Sequence, residues 1–262
     1  MSRDPLATYE VSAGVALVTF RRPRARNAVN AQLSLAVGQA LEEAEADPAV
    51  RAVVVTGEGS VFCAGADLKG IAAGQPLTAP GHPEWGFAGL VQHPVSMPLI
   101  AAVNGHAMGG GAEIVLACDL AVMSEDALIG LPEVTRGLYA AAGGTIRLPR
   151  QVPLKVALHV GFTGQPLTAR EAVGWGLVNE VVPPSKVLSA SLDLAGRIAT
   201  NAPLAVAVTK AMMHASAGAG SDDHRGLWER QDDEMARLLA SSDAREGATA
   251  FAEKRHPTWV GR

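Results

Sequence analysis

Two glutamates stand where a carboxylate has chemistry open to it. Glu113 enters an apolar run, Ile114-Val115-Leu116-Ala117-Cys118, one residue after the three glycines Gly109-Gly110-Gly111. A carboxyl group drawn into apolar surroundings loses hydration and its pKa rises, which poises it for proton transfer near neutral pH. Glycines lack a Cβ and admit a ligand close to the main chain, and the first N–H groups of a helix have no partner inside it. Such a turn suits a developing negative charge, although the triplet alone reads first as a tight, closely packed strand-to-helix turn. Glu133 follows Pro132 at the end of a short extended run; alone it reads as an exposed loop residue. A second small-residue turn, residues 62–69, brings backbone close to something else, with Asp67 able to cap the next segment. Arg21, Arg22, Arg24 and Arg26 crowd one loop, either a solvated surface or a clamp for a phosphorylated ligand. His106 is a packed turn residue or a hydrogen-bonding partner for a polar ligand.

These residues need elements to place them. Strands are expected over 15–20, 52–56, 99–103, 119–124 and 177–182, with an extended run over 127–133. The run 52–56 is continuously apolar, as in a strand covered on both faces. Asn30 caps a helix with apolar positions Leu33, Val37 and Leu41 that stops near Asp47-Pro48. Gly57 and Gly59 invite a dinucleotide-binding reading, but Phe62 stands where its third glycine belongs and no acidic residue occurs at the right distance beyond it. No GxxxxGK[ST] loop, GxSxG elbow or HExxH helix occurs. Residues 70–98 show little pattern and are expected as a mobile flap. Short helices are expected over 143–148, 153–160 and 168–175, and longer ones over 185–200, 203–214, 223–239 and 244–254. The chain thus reads as an α/β body over 1–200 followed by a helical region over 201–262.

The 262 residues are 48% apolar and 18% charged, the composition of an ordinary globular protein, and the formal net charge is -4. No general positive field exists to hold nucleic acid or an acidic membrane. Cys63 and Cys118 lack metal-site spacing and read as reduced core thiols. No apolar run approaches the roughly 18 residues of a membrane span, and residues 1–10 do not have the build of a secretory signal, so the expectation is a cytoplasmic protein.

Taken together, residues 104–113, Ala64-Gly65-Ala66-Asp67-Leu68, Arg26-Asn27-Ala28-Val29, and Pro132-Glu133 followed by Gly143-Gly144 are similar to the crotonase (enoyl-CoA hydratase/isomerase) family. The likeness extends from about residue 6 to 255. It implies an α/β fold, a spiral of ββα units followed by a helical trimerisation region, assembled as a homotrimer or dimer of trimers. The implied ligand is an acyl-CoA thioester, with coenzyme A carried as part of the substrate and neither a separate cofactor nor a metal. The amides of Ala66 and Gly110 match an oxyanion hole. Ala64, Asp67, Leu68, Lys69, Ala28 and Gly109 match positions lining the CoA channel, and Arg24, Arg26 and Lys254 match positions near the CoA phosphates. In hydratases of the family the catalytic pair matches Glu113, which activates water, and Glu133, the acid toward the α-carbon. Isomerases generally keep only the second.

One departure stands out. Family members often read Gly-x-x-Pro-Gly-x-Gly-Gly where this chain has Gly137-Leu138-Tyr139-Ala140-Ala141-Ala142-Gly143-Gly144, so the acyl pocket is open to change. The expected function is hydration of a 2-enoyl-CoA. The alternatives are another crotonase reaction, such as isomerisation or dehydration of an unusual acyl group, and a non-catalytic acyl-CoA or RNA binder.

Overall fold

A computed structural model describes residues 5–218 and 224–262. It opens with a hairpin of β1 (Ala7–Ser12) and β2 (Val15–Phe20), turned by Ala13 and Gly14 at φ 48° and 78°. Positive φ at both turn residues matches the twist of a two-stranded ribbon. β1 escapes the sequence reading because none of its side chains is fully buried and no clean alternation results. Helix α1 (Ala31–Ala46) begins as expected: the Asn30 side chain accepts the Leu33 N–H at 2.9 Å, and Leu33, Val37, Leu41 and Ala44 are buried.

β3 (Ala52–Gly57) pairs in parallel with β2 and is buried along its whole length. Val53 and Val55 pack with α1 in the main core, while Ala52 and Val54 pack into a second core on the other side. From β3 the chain winds in turns of long strand, short strand and helix. The first turn is completed by β4 (Val61–Cys63) and α2 (Leu68–Ala72). The second is β5 (Leu99–Val103), β6 (His106–Met108) and α3 (Gly110–Ala117). The third is β7 (Leu120–Ser124), β8 (Leu128–Gly130), a 3₁₀ turn over Pro132–Arg136, and α4 (Gly144–Gln151). Beyond it lie α5 (Leu154–Thr163), β9 (Leu167–Thr168), α6 (Ala169–Gly174) and β10 (Glu180–Val182).

The long strands form a six-stranded sheet, β1-β2-β3-β5-β7-β10, parallel except for the opening hairpin. The short strands form a second sheet, β4-β6-β8-β9. The run expected as a strand over 177–182 shortens to β10, because the Asn179 side-chain oxygen accepts the Ala121 N–H in place of a backbone carbonyl.

The segment 70–98, expected as a mobile flap, is fastened to α1. The Ser34 hydroxyl donates to Leu77 O at 2.6 Å, and His93 sits between Gly89 O and the Glu42 carboxylate at 3.0 Å each. Trp85 is buried over Gly38, where an added β-carbon would stand 2.2 Å from the indole.

The tail is helical: α7 (Val187–Ala199), α8 (Pro203–Gly218), α9 (His224–Ala240) and α10 (Ser242–Glu253). α7 closes the second core with Val187 and Ala195. The expected start of a helix at Asp223 lies outside the described residues. Lys210 and His214 fix α8 to the body through Asp119, at 2.9 and 2.6 Å. No helix of the described residues is long and apolar enough to cross a membrane.

Because Trp85 occupies the space above Gly38, Gly38→Ala forces the indole aside. We expect a loss of about 1–3 kcal/mol in urea unfolding and a red-shifted tryptophan emission as residues 83–91 loosen.

Candidate active site

The site grows from two main-chain turns. β6 leads into Gly109 at φ 56°, whose N–H donates to Gly130 O at 2.8 Å. Gly110 comes next as the first residue of α3, where an N–H has no acceptor within the helix. On the other side β4 leads into Gly65 at φ 89°. Val29 makes a single parallel bridge to Ala66, donating to Gly65 O and accepting from Asp67 N–H, both at 2.8 Å. That pattern uses the groups on either side of Ala66 and turns its own N–H away from Val29.

The two turns touch backbone to backbone. A β-carbon on Gly65 would stand 2.8 Å from Met108 O and 3.0 Å from Gly110 N, and one on Gly111 would stand 2.1 Å from Cys63 O. No other residue fits there. Ala66 and Gly110 consequently line one cavity of about 520 Å³, together with Ala64, Leu68, Gly109, Phe87 and the two glutamates.

Glu113 lies one turn into α3 and is 3% exposed; its Oε1 accepts the Gly144 N–H at 2.8 Å. Burial pushes its pKa from the ordinary 4.5 up to about 7, with the negative charge of Glu133 adding to the rise and the Gly144 and Ala142 amides opposing it. Glu133 sits in the 3₁₀ turn after Pro132, and its Oε1 lies 3.0 Å from where a Gly109 β-carbon would be. Its Oε2 is buried with no hydrogen-bond partner among the described residues. Burial raises this carboxyl group as well. An unpartnered buried carboxyl oxygen is costly unless a ligand or water completes it.

Other expected residues lie elsewhere. Asp67 faces inward: its carboxylate pairs with Arg22 at 2.9 Å and accepts the Gly70 N–H at 3.2 Å, which holds its pKa below the ordinary value. Ala28 offers its carbonyl to Arg22. Arg24, Arg26 and Lys69 are exposed, and Lys254 is an exposed left-handed residue closing α10. None of these six lines the cavity. His106 is not a packed turn residue: it is exposed at the start of β6, where its ring accepts the Leu128 N–H at 3.1 Å, and it does not line the cavity. Cys63 and Cys118 are buried thiols pushed up to about 12. Among the described residues no cluster of His, Cys, Asp and Glu is arranged to hold a metal ion.

Sequence reasoning passes over Arg147. It donates to Val91 O and Ala142 O, so it ties the segment over α1 to the loop before α4, and its charge favours ionised Glu113. Its only signal was a position one helical turn after Gly143. Phe87 was equally unmarked; its ring fills the space a Gly110 side chain would need.

Unfolded, Glu113 ionises near 4.5; folded, near 7. Between these values the native state keeps a proton the unfolded chain has released, so stability falls as pH rises through that window and stays lower above it. Glu113→Gln retains an acceptor for Gly144 N–H and removes the cost. The variant is expected to be more stable than the parent at pH 8, on the order of 3 kcal/mol by chemical denaturation, with the gain vanishing toward pH 4.

The enoyl-CoA hydratase/isomerase family model matches residues 10–262. A carnitinyl-CoA dehydratase of Salmonella agona (strain SL483) is 40% identical over 248 residues, 94% of each chain. Among solved structures, an enoyl-CoA hydratase from Mycobacterium tuberculosis H37Rv superposes with a TM-score of 0.93 at 39% identity, covering 99% of this chain and 100% of that one. A carnitinyl-CoA hydratase from Mycobacterium avium gives 0.79 at 53% identity over the same shares. With its ββα spiral and helical tail, the chain belongs to the enoyl-CoA hydratase/isomerase family and has the crotonase fold.

Proposed function

We propose that the protein adds water across the 2,3-double bond of a 2-enoyl-CoA and, in reverse, dehydrates a 3-hydroxyacyl-CoA. The observation that carries this reading is one cavity walled by two glutamates raised by burial and by the main chain of Ala66 and Gly110. The thioester oxygen accepts the amides of Ala66 and Gly110, which oppose the negative charge that develops there; one such donor is worth about 3 kcal/mol in well-studied hydrolases. Glu113 takes a proton from water as its oxygen bonds to C3. Glu133 delivers a proton to C2, and the enolate electrons close onto it. The Gly144 N–H steadies Glu113 as the base, while the unpartnered Oε2 of Glu133 suits a protonated acid. No cofactor is required, since coenzyme A arrives with the substrate.

Presence of both carboxyl groups favours hydration or dehydration over isomerisation, which needs one carboxylate to shuttle a proton between carbons. The names of the relatives, carnitinyl-CoA dehydratase and enoyl-CoA hydratase, agree with this reaction class. Exposed Arg24 and Arg26, with Lys254 from the tail, are proposed to meet the CoA phosphates. We also propose that the tail joins copies into a homotrimer or dimer of trimers: Met213, Trp228, Leu239 and Phe251 are each more than 60% exposed.

Glu133→Gln should lower hydration of a 2-enoyl-CoA by about two or more orders of magnitude, while calorimetric binding of a saturated acyl-CoA is retained. Unchanged turnover refutes the assignment. In the parent, kcat/KM should fall below an apparent pKa near 7 as Glu113 takes up a proton. Sedimentation should report three or six copies of the 27.0 kDa chain.

A further inference from the structure

Arg136 is the last residue of the 3₁₀ turn that carries Glu133. With three residues per turn, side chains at i and i+3 stack on the same side, so Glu133 and Arg136 face the same way, and both line the cavity. Among the described residues Arg136 has no carboxylate partner, and Glu133 Oε2 is buried without a hydrogen bond. The rest of the lining is mostly apolar, with Leu68, Ile71, Leu77, Phe87 and Leu138, while Thr78, Gln92 and Tyr139, three positions after Arg136, are polar.

Arg136 is exposed, so its guanidinium is solvated at the cavity wall and loses part of that water when an acyl group fills the cavity. It then needs an anion, and its planar fork matches a carboxylate at two points. Burial pushes Glu133, the acid of the pair, toward its protonated form, which lowers its opposition to a third carboxylate.

We propose that Arg136 sets acyl specificity: the end of the acyl chain remote from the thioester carries a carboxylate, which Arg136 pairs with and Tyr139 assists. This rests on the hydratase reading of the same cavity. The phosphates of coenzyme A are a second source of the same anionic chemistry, and the experiment separates the two.

The test uses two 2-enoyl-CoA substrates of equal chain length, one ending in a carboxylate and one in a methyl group. The parent is expected to favour the carboxylate by at least about tenfold in kcat/KM, the worth of a charge-assisted hydrogen bond. In Arg136→Gln that ratio should fall to about one, and in Arg136→Glu below one. A ratio near one in the parent overturns the proposal, as does a ratio that Arg136→Gln leaves intact while KM rises equally for both substrates, which would place the CoA phosphates on Arg136. Calorimetric binding of the matching saturated acyl-CoA pair to parent and variant reads the same ratio without turnover. A parent that hydrates neither substrate but binds the carboxylate-ended thioester more tightly, through Arg136, supports this inference while refuting the hydratase reading.

Discussion

Everything in the cavity depends on two stretches of main chain touching without side chains between them. Gly65 lies against Met108 O and Gly110 N, and Gly111 lies against Cys63 O, at distances that exclude any β-carbon. Only there do the open N–H of a helix terminus and the N–H left over by the Val29 bridge come to the same wall. Glycine costs conformational entropy in the unfolded chain, and a run of three at the start of α3 costs it repeatedly. The fold offsets this with the pairing of β4 and β6 and with Phe87 filling the space beside Gly110.

The same closeness buries Glu113 and shifts its ionisation. Glu113 is 3% exposed, and its ionisation is shifted by burial, by one peptide N–H from Gly144 and by the charges of Glu133 and Arg147. This explains why the departure at 140–141 does not dismantle the site. A β-carbon on Gly144 would stand 2.6 Å from the Ala140 side chain and 3.1 Å from Glu113 Oε1, so Gly144 is the glycine the geometry requires, and it is present. The proline and the other glycine of the common pattern shape the loop, but the amide that meets Glu113 does not come from them. Ala140 is buried, and its small side chain leaves room beneath the α4 terminus.

The legible parts of this structure are those where one strong local cause acts. Continuous apolar runs marked β3 and β5, the Asn30 cap marked α1, and a glutamate entering an apolar helix marked Glu113. Of the short strands in the second sheet only β8 was foreshadowed, by the extended run over 127–133; β4 and β6 gave no signal because three residues carry no period and their pairing partners lie far apart in sequence. Segment 70–98 showed no pattern because its order comes from α1: Trp85 over Gly38, His93 against Glu42. Glu133 was named by resemblance and could not have been found from its own surroundings, since its burial is produced by the turn around Gly109. Arg147 and Phe87 act across gaps of more than twenty residues, where pattern gives no warning.

The arginine loop shows how the fold decides between a clamp and a support. Of its four arginines, Arg21 pairs with Glu58 at 3.2 Å and Arg22 with Asp67 at 2.9 Å. Arg22 also reaches the Ala28 carbonyl, and buried Asn27 donates to Glu58 O and Val61 O. These bonds hold the loop against β4 and against the turn that presents Ala66, so half of the positive charge serves geometry. Arg22 is mostly shielded from solvent, and its pair is worth more as a positional lock on Asp67 than an exposed pair would be. Arg24 and Arg26 point outward from a loop already fixed at both ends, and Arg26 itself adopts φ 53° to turn the chain. A mobile arginine must lose side-chain freedom to hold an anion, but the backbone beneath these two is ordered before any ligand arrives. The same division of roles withdraws Asp67 from the cavity: its carboxylate is engaged by Arg22 and by the Gly70 N–H, which leaves the lining beside Leu68 without that negative charge.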